Sequence, residues 1–222
     1  MRFAREGRPF MLIAAAATAV TVAMAVRNPV AAWAAAPVTA LAFLVFYFFR
    51  DPERRIPNDP GLVLAPGDGK VIEIVEVREP SFFEGPCRRI SIFLSIFNVH
   101  VQRAPTSGSV AHRAYNPGGF AVAWHPKASM ENEQSSVGVV TDSGRLMVRQ
   151  IAGLIARRII TYPEEGQTLE RGERIGLIRF GSRVDLFIPL EWPVECAVGD
   201  RAVGGTTVMA RQPVVPKDGG GP

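Results

Sequence analysis

A glycine-serine pair interrupts an alternating apolar pattern in the last quarter of the chain. Apolar residues recur at every second position through residues 178–188, the period of a half-buried strand, and Ser182 falls in phase with them. Glycine tolerates backbone conformations that would turn the next peptide bond, and the Ser182 hydroxyl follows directly on the Gly181 carbonyl. The pair therefore permits an N→O acyl shift. An ordinary β-bulge with a solvated serine has the same pattern.

Two further polar residues have chemistry that could assist a reacting serine. Asp68 lies in a glycine-flanked turn ahead of a predicted strand, where it could also simply hydrogen-bond its own backbone. His100 precedes Pro105 in an apolar segment, and it is one of only three histidines in the chain. A proton transfer near neutral pH has few other candidate groups, although a single histidine on a strand is more often structural.

These segments together resemble the phosphatidylserine decarboxylases, specifically their short bacterial and archaeal-type form. Residues 171–189 are similar to the self-cleavage segment of that family, residues 65–69 to its aspartate segment, and residues 98–105 to its histidine segment. The motifs occur in the family's order, and the resemblance extends from Pro52 to Ala210.

The resemblance implies a proenzyme that cleaves itself between Gly181 and Ser182 without hydrolysis. Ser182 would become an N-terminal pyruvoyl group, which is the covalent cofactor. The products would be a large subunit of residues 1–181 and a small subunit of residues 182–222.

The resemblance also assigns roles to the two other residues. His100 would be the acid/base residue, and Asp68 would orient it. The longer decarboxylases carry a second histidine three residues after the first, where this chain has Arg103. Whether His100 serves both cleavage and turnover therefore stays open.

The implied reaction is the decarboxylation of phosphatidylserine to phosphatidylethanolamine and CO2. Breaking the C–C bond of an amino acid needs an acceptor for the bonding electrons, and a pyruvoyl carbonyl supplies one without PLP. The partners would be a phospholipid substrate and a membrane. Lys127 and Arg149 are candidate ligands for the lipid phosphate, although either could be a solvated surface residue.

Two other functions fit the same residues. An archaetidylserine decarboxylase would perform this chemistry on ether lipids, and the sequence does not separate the two substrates. A non-enzymatic, membrane-anchored adaptor with a barrel-sandwich fold would share the Pro-x-x-Gly-Lys-Val turn and the glycine-rich strand pairs. Such an adaptor would need no particular serine or histidine and would run as a single chain.

Residues 1–50 are predicted to form a helical hairpin that spans or is embedded in a membrane. Residues 10–26 and 30–49 contain no charged side chain, and these 17 and 20 residues approach or reach the span of an apolar core of about 30 Å. Arginines flank both runs, so the positive-inside rule places both ends, and the catalytic domain, on the cytosolic face of the inner membrane. A signal peptide ending near Ala23-Met24-Ala25 and a hairpin that enters one leaflet are the alternatives.

Residues 51–211 are predicted to form a mainly β catalytic domain, either a sandwich or a partly open barrel, because short β-like segments alternate with turn residues. The Pro- and Gly-rich residues 212–222 are predicted to be a disordered tail. The predicted strands are approximately Lys70–Val77, Arg89–Phe97, Ser109–Tyr115, Val137–Thr141, Arg145–Ile151, Arg158–Tyr162, Ile175–Phe180, Arg183–Pro189 and Ala202–Ala210.

The composition argues against other classes of function. The net charge of +4 comes from 25 basic and 21 acidic residues spread along the chain, which suits a surface near anionic lipid. Nucleic-acid binding is not expected, since no dense basic run with interleaved aromatic residues occurs. Cys87 and Cys196 have no metal-ligand spacing, so no structural metal is expected.

Overall fold

The computed structural model describes residues 2–118, 132–153, 158–179 and 182–214. The chain divides into two compact units, Met1–Glu53 and Arg54–Pro222. The boundary between them lies slightly after the predicted one at residue 50.

The N-terminal unit contains the predicted hairpin of two apolar helices. Asn28 ends the first helix, and its Oδ1 accepts a hydrogen bond from Val30 N at 3.0 Å, which starts the turn into the second. A two-stranded sheet of β1 and β2 joins the two ends of the hairpin. The elements are β1 (Arg2–Phe3), a 3-10 turn (Arg5–Gly7), α1 (Arg8–Arg27), a 3-10 turn (Pro29–Ala31), α2 (Ala32–Phe48) and β2 (Arg50–Asp51).

Both helices expose apolar side chains around most of their circumference. Val26 and Trp33 are 83% and 86% exposed, for example. The core helix of a soluble unit would bury such side chains, so this surface indicates association with a membrane. Both helical segments are also long and apolar enough to cross one.

The second unit is mainly β, which confirms the predicted fold class. Its largest sheet curls into a half-barrel of eight strands in the order β11-β7-β8-β9-β13-β5-β4-β14. A smaller sheet has the order β10-β12-β6, and β15 pairs with β3. The strands are β3 (Leu62–Leu64), β4 (Gly69–Glu79), β5 (Gly85–Leu94), β6 (Val101–Arg103), β7 (Gly108–Asn116), β8 (Gln134–Thr141), β9 (Gly144–Ala152), β10 (Ile159–Thr161), β11 (Thr168–Leu169), β12 (Arg174–Ile178), β13 (Ser182–Ile188), β14 (Arg201–Ala202) and β15 (Val208–Arg211).

Eight of the nine predicted segments correspond to described strands, whereas β3, β6 and β11 were not predicted. The predicted strand Ala202–Ala210 is instead the two strands β14 and β15. The chain turns between them at Gly205, whose φ of +72° disfavours residues with a side chain.

Strand β13 lies in the middle of the large sheet, between β5 and β9. Val184, Leu186 and Ile188 face the main core, while Phe187 joins a smaller apolar cluster on the other face. Because both faces of the sheet are covered, every residue of β13 is buried.

The small sheet packs on the core face of the large one, since Ile175 and Ile178 of β12 belong to the same buried cluster as Val184. The chain therefore passes from one sheet to the other between Ile178 and Ser182. The predicted cleavage site lies in this crossover. Gly181 itself lies outside the described residues.

The start of the predicted C-terminal tail is bound to the domain. Gln212 N donates to Gly61 O at 2.8 Å, and Gln212 Nε2 donates to Thr106 Oγ1 at 3.1 Å. The described chain continues through Val214, and residues 215–222 lie outside it.

Candidate active site

Ser182 is the first residue of β13 and has no solvent exposure. It lies opposite Leu94 of β5 and Ala152 of β9 in the sheet register. Within the described ranges, its Oγ has no hydrogen-bond partner. Leaving a buried polar group unpaired costs roughly 1–3 kcal/mol, so the unpaired hydroxyl calls for an explanation, and a catalytic role is one. The burial also excludes the solvated serine of the β-bulge alternative.

His100 is fully buried and directly precedes β6. Its Nδ1 lies 3.0 Å from Asn98 O. Because a carbonyl only accepts hydrogen bonds, Nδ1 carries the proton, and Nε2 is the basic nitrogen of the neutral ring. The backbone O of His100 accepts from Ile178 N at 3.4 Å, which places this residue beside the end of β12 and the crossover to Ser182.

Asp68 is held by a cation and a backbone amide. Arg54 Nη2 donates to Oδ2 at 2.8 Å and to Oδ1 at 3.0 Å, and Gly204 N donates to Oδ1 at 2.8 Å. None of these hydrogen bonds joins Asp68 to His100. The orienting role of Asp68 therefore stays a prediction.

The turn that carries Asp68 nevertheless lies against both other segments. Arg103 N, three residues after His100, donates to Pro66 O at 2.8 Å. On the other side, a Cβ placed on Gly67 would be 3.5 Å from the side chain of Leu94, the residue opposite Ser182. Three segments far apart in the sequence thus meet at one end of the core.

Arg103, which replaces the second histidine of the longer decarboxylases, is buried, with 6% exposure. Its Nη1 donates to Gly172 O at 3.0 Å. A guanidinium stays protonated at every physiological pH, so Arg103 cannot exchange a proton as a histidine would. Of the residues predicted for catalysis, only His100 can do so near neutral pH.

The structure describes only one of the two predicted phosphate ligands. Lys127 lies outside the described residues. Arg149 Nη2 donates to Glu79 Oε1 at 2.9 Å, and its Nε donates to Ser136 Oγ at 3.0 Å. Arg149 is thus engaged with a buried carboxylate on the face of the sheet opposite to Ser182, which leaves a role in phosphate binding unsupported.

Glu79 is a buried carboxylate that the sequence pattern does not single out. Burial alone would raise its pKa, but hydrogen bonds from Ser81 Oγ and from the backbone N–H groups of Phe82, Phe83 and Ser81 outweigh burial and lower the pKa to about 2. Glu79 is therefore ionised at neutral pH and forms a stable anionic partner for Arg149. Its Glu-Pro-Ser context resembles any surface turn, so no local signal marks it.

Comparisons with known proteins agree with the arrangement of these segments. The sequence profile of the family described as "Phosphatidylserine decarboxylase" matches residues 41–210. A phosphatidylserine decarboxylase proenzyme of Symbiobacterium thermophilum is 47% identical over 212 residues, which cover 95% of each chain. One of Salinibacter ruber is 49% identical over 179 residues, covering 79% of this chain and 78% of the relative. One of Nitrosomonas europaea is 43% identical over 209 residues, covering 93% and 94%.

Proposed function

Because this chain belongs to the phosphatidylserine decarboxylase family, we propose that it is a proenzyme that cuts itself between Gly181 and Ser182 to become a pyruvoyl-dependent phosphatidylserine decarboxylase. The observation that carries the proposal is the buried Ser182 hydroxyl, which has no partner among the described residues. Family membership also argues against the non-enzymatic adaptor.

Cleavage uses only atoms of the chain and one water molecule. Ser182 Oγ attacks the carbonyl carbon of Gly181, and the C–N bond breaks while the nitrogen takes up a proton. The ester so formed undergoes β-elimination, which leaves a carboxylate on Gly181 and a dehydroalanine at position 182. Addition of water and loss of ammonia then give the pyruvoyl group.

The environment of Ser182 fits this cofactor, since its side-chain oxygen is buried and is not committed to a described hydrogen bond. When formed, the pyruvoyl group supplies a carbonyl that accepts the electrons released as CO2 leaves. Strand β13 is fixed by pairing on both edges, with β5 and with β9. These pairings hold residue 182 in place after the chain is cut.

We assign His100 Nε2 as the base that activates the Ser182 hydroxyl, and His100 as the donor of the proton that replaces CO2 on the product. The Nδ1 contact with Asn98 O supports this assignment because it leaves Nε2 as the basic nitrogen. Asp68 is the proposed orienting carboxylate. Since both of its oxygens accept from Arg54 and His100 Nδ1 donates to Asn98 O, this role requires Arg54 to release one oxygen and His100 Nδ1 to exchange Asn98 O for it.

The N-terminal hairpin would hold the enzyme at the bilayer that contains its phospholipid substrate. We place the catalytic unit on the cytosolic face, because arginines precede the first apolar run and follow the second. Labelling of cysteines introduced after Arg50 in intact and in permeabilised cells tests this orientation. Labelling of intact cells by an impermeant reagent would contradict it.

Intact-mass measurement of the purified full-length protein tests the proposed function. We expect two chains, residues 1–181 and 182–222, the smaller one blocked by a carbonyl-bearing residue 182 and reactive with a hydrazide. Ser182→Ala should give one uncut, inactive chain, whereas the control Ser143→Ala, a serine at the other end of β9, should cut normally. A wild-type protein that decarboxylates phosphatidylserine vesicles as one intact chain would rule out the proposal. Vesicles of ether-linked serine lipids, assayed in parallel, distinguish the archaetidylserine alternative.

A further inference from the structure

The two residues proposed to react lie on different sheets. Ser182 begins β13 of the eight-stranded sheet, and His100 directly precedes β6 of the three-stranded sheet. Their separation therefore depends on how the two sheets are held against each other. Apolar packing between sheets is non-directional, whereas hydrogen bonds impose a distance and an angle.

A chain of buried hydrogen bonds crosses between the two sheets at this point. Gln150 Nε2 of β9 donates to Gln102 Oε1 of β6 at 2.8 Å. Gln102 Nε2 in turn donates to the backbone O of His100 at 2.7 Å. Gln150 lies opposite Val184, two residues from Ser182, so the chain runs from the neighbourhood of the serine to the backbone of the histidine.

The hydrogen-bond pattern allows only one orientation of each amide. His100 O can only accept, so Gln102 must present its NH2 group to His100 and its oxygen to Gln150. Gln150 then donates to Gln102, and its Oε1 accepts from Thr161 Oγ1 at 2.6 Å. Turning either amide over would place two acceptors or two donors face to face. Both glutamines are buried, at 0% and 1% exposure, so such a mismatch would not be relieved by water.

A glycine provides the space that the connection occupies. Gly176 of β12 lies opposite Gln102 in the strand register. A Cβ at Gly176 would be 2.2 Å from Ile160 O and 2.7 Å from Gln150 Nε2. Any side chain at position 176 would therefore displace the Gln150 amide, which is independent evidence that the fold accommodates this contact.

We propose that Gln102 and Gln150 are positioning residues that fix His100 relative to Ser182. This inference rests on the proposed function, since it requires Ser182 and His100 to react. Cutting the chain after Gly181 removes the covalent crossover from β12 to β13. The alignment of the two sheets at this end then depends on non-covalent contacts. The hydrogen bond between the two glutamines is one of these contacts, and it fixes both a distance and a direction.

The test replaces both glutamines by methionine, which has a similar length and no amide. In Gln102→Met/Gln150→Met, both partners of the central bond are lost together, which limits the cost in stability. We expect self-cleavage to slow about tenfold or more, and kcat of the cut enzyme to fall by a similar factor, because small displacements of reacting groups carry penalties of this size. KM for phosphatidylserine vesicles should stay within about twofold, since neither amide is proposed to touch the lipid.

Gln212→Met is the matched control. Gln212 also accepts and donates side-chain hydrogen bonds, with Thr141 Oγ1 at 3.0 Å and Thr106 Oγ1 at 3.1 Å, but at the far end of the β8-β9 hairpin. We expect its cleavage rate and kcat to match those of the wild type. Thr161→Val is a milder variant that keeps both glutamines. It removes the donor to Gln150 Oε1 together with the hydrogen bond to Ser135 Oγ, and it should lower both rates by a smaller factor.

The outcomes separate the two proposals. A wild-type protein that neither cuts nor turns over contradicts the proposed function itself, and the positioning role with it. If the wild type and Gln212→Met are active, and folded double-methionine protein cuts and turns over at their rates, the positioning role is overturned. A double-methionine variant that has a lower melting temperature but an unchanged kcat also overturns the positioning role. If the double variant does not fold, Thr161→Val takes its place in the test. An unchanged cleavage rate in folded Thr161→Val then overturns the positioning role.

Discussion

Arg183 and Asp185 form an ion pair on the face of β13 opposite to Ser182, with Arg183 Nε 2.6 Å from Asp185 Oδ1. Arg183 Nη2 also donates to Ser91 Oγ at 2.6 Å. The two charged side chains are buried, at 1% and 0% exposure. Because Ser91 precedes the proposed cleavage site and Arg183 follows it, the Arg183–Ser91 hydrogen bond would join the two chains that cleavage creates.

Arg183→Met should destabilise the protein by about 3–5 kcal/mol, because it leaves the Asp185 carboxylate buried without its closest cation. Chemical unfolding of the uncut Ser182→Ala background measures the change without the complication of two chains. The control is Arg211→Met, since Arg211 pairs with Glu195 at an exposed position, where the loss should stay below about 1 kcal/mol. If the two substitutions lower the free energy of unfolding equally, the buried ion pair contributes no more to stability than the exposed one.

Acidification should weaken the domain through Glu79. Its pKa is lowered from 4.5 to about 2 in the fold, so the carboxylate stabilises the native state at every pH above about 4.5. That contribution, about 3 kcal/mol when complete, is lost progressively as the pH falls from about 4.5 towards 2. Glu79→Gln should therefore lower the melting temperature at pH 7 and flatten its decline in this range. Glu76→Gln, at a carboxylate that is 66% exposed, is the control and should change neither.

Ser182→Ala should be at least as stable as an uncut wild-type chain, although it abolishes cleavage. The substitution removes a buried hydroxyl that makes no described hydrogen bond and leaves no new polar group unpaired. Comparison with freshly translated proenzyme, by proteolysis before cutting is complete, gives the difference. A loss of more than about 1 kcal/mol would indicate that the hydroxyl has a stabilising partner, and would weaken its assignment as the nucleophile.

His100→Ala separates the two uses proposed for the histidine. We expect cleavage and turnover both to fall by about 100-fold, within the range for loss of a general acid or base. Timed mass measurements follow cleavage, and CO2 release by chain that has already cut follows turnover. His112→Ala is the control, since its ring stacks on Phe82, away from the crossover. Full cleavage and turnover in His100→Ala would remove the histidine from the mechanism and leave the pyruvoyl proposal in place.

Asp68 and Arg54 should respond in opposite directions if Asp68 orients His100. Asp68→Asn should slow cleavage, because the charge that would hold the imidazole is lost. Arg54→Met should leave cleavage unchanged or faster, because both Asp68 oxygens lose the cation that now holds them, while Gly204 N still donates to Oδ1. If Arg54→Met slows cleavage as much as Asp68→Asn, the ion pair itself is what the site requires.

The local sequence pattern was sufficient to predict many of the structural elements and candidate site residues of this protein. Two uncharged apolar runs predicted the helical hairpin, and alternation at every second residue predicted β13 to within a residue of its observed start. The Gly181-Ser182 pair, Asp68 and His100 stood out because their residue types and neighbours form recognisable motifs. Such features depend on the geometry of a few consecutive residues, and a one-dimensional pattern reports that geometry directly.

The partners of these residues were decided only by the tertiary structure. Sheet order places β13 between β5 and β9, which buries Ser182, although those strands are far from it in the sequence. Asp68 accepts from Arg54 rather than from His100, Arg149 binds Glu79 rather than facing solvent, and two separated glutamines meet between the sheets. Periodicity tells which face of a strand is buried but not which strand lies beside it, because pairing is set by the packing of the whole domain.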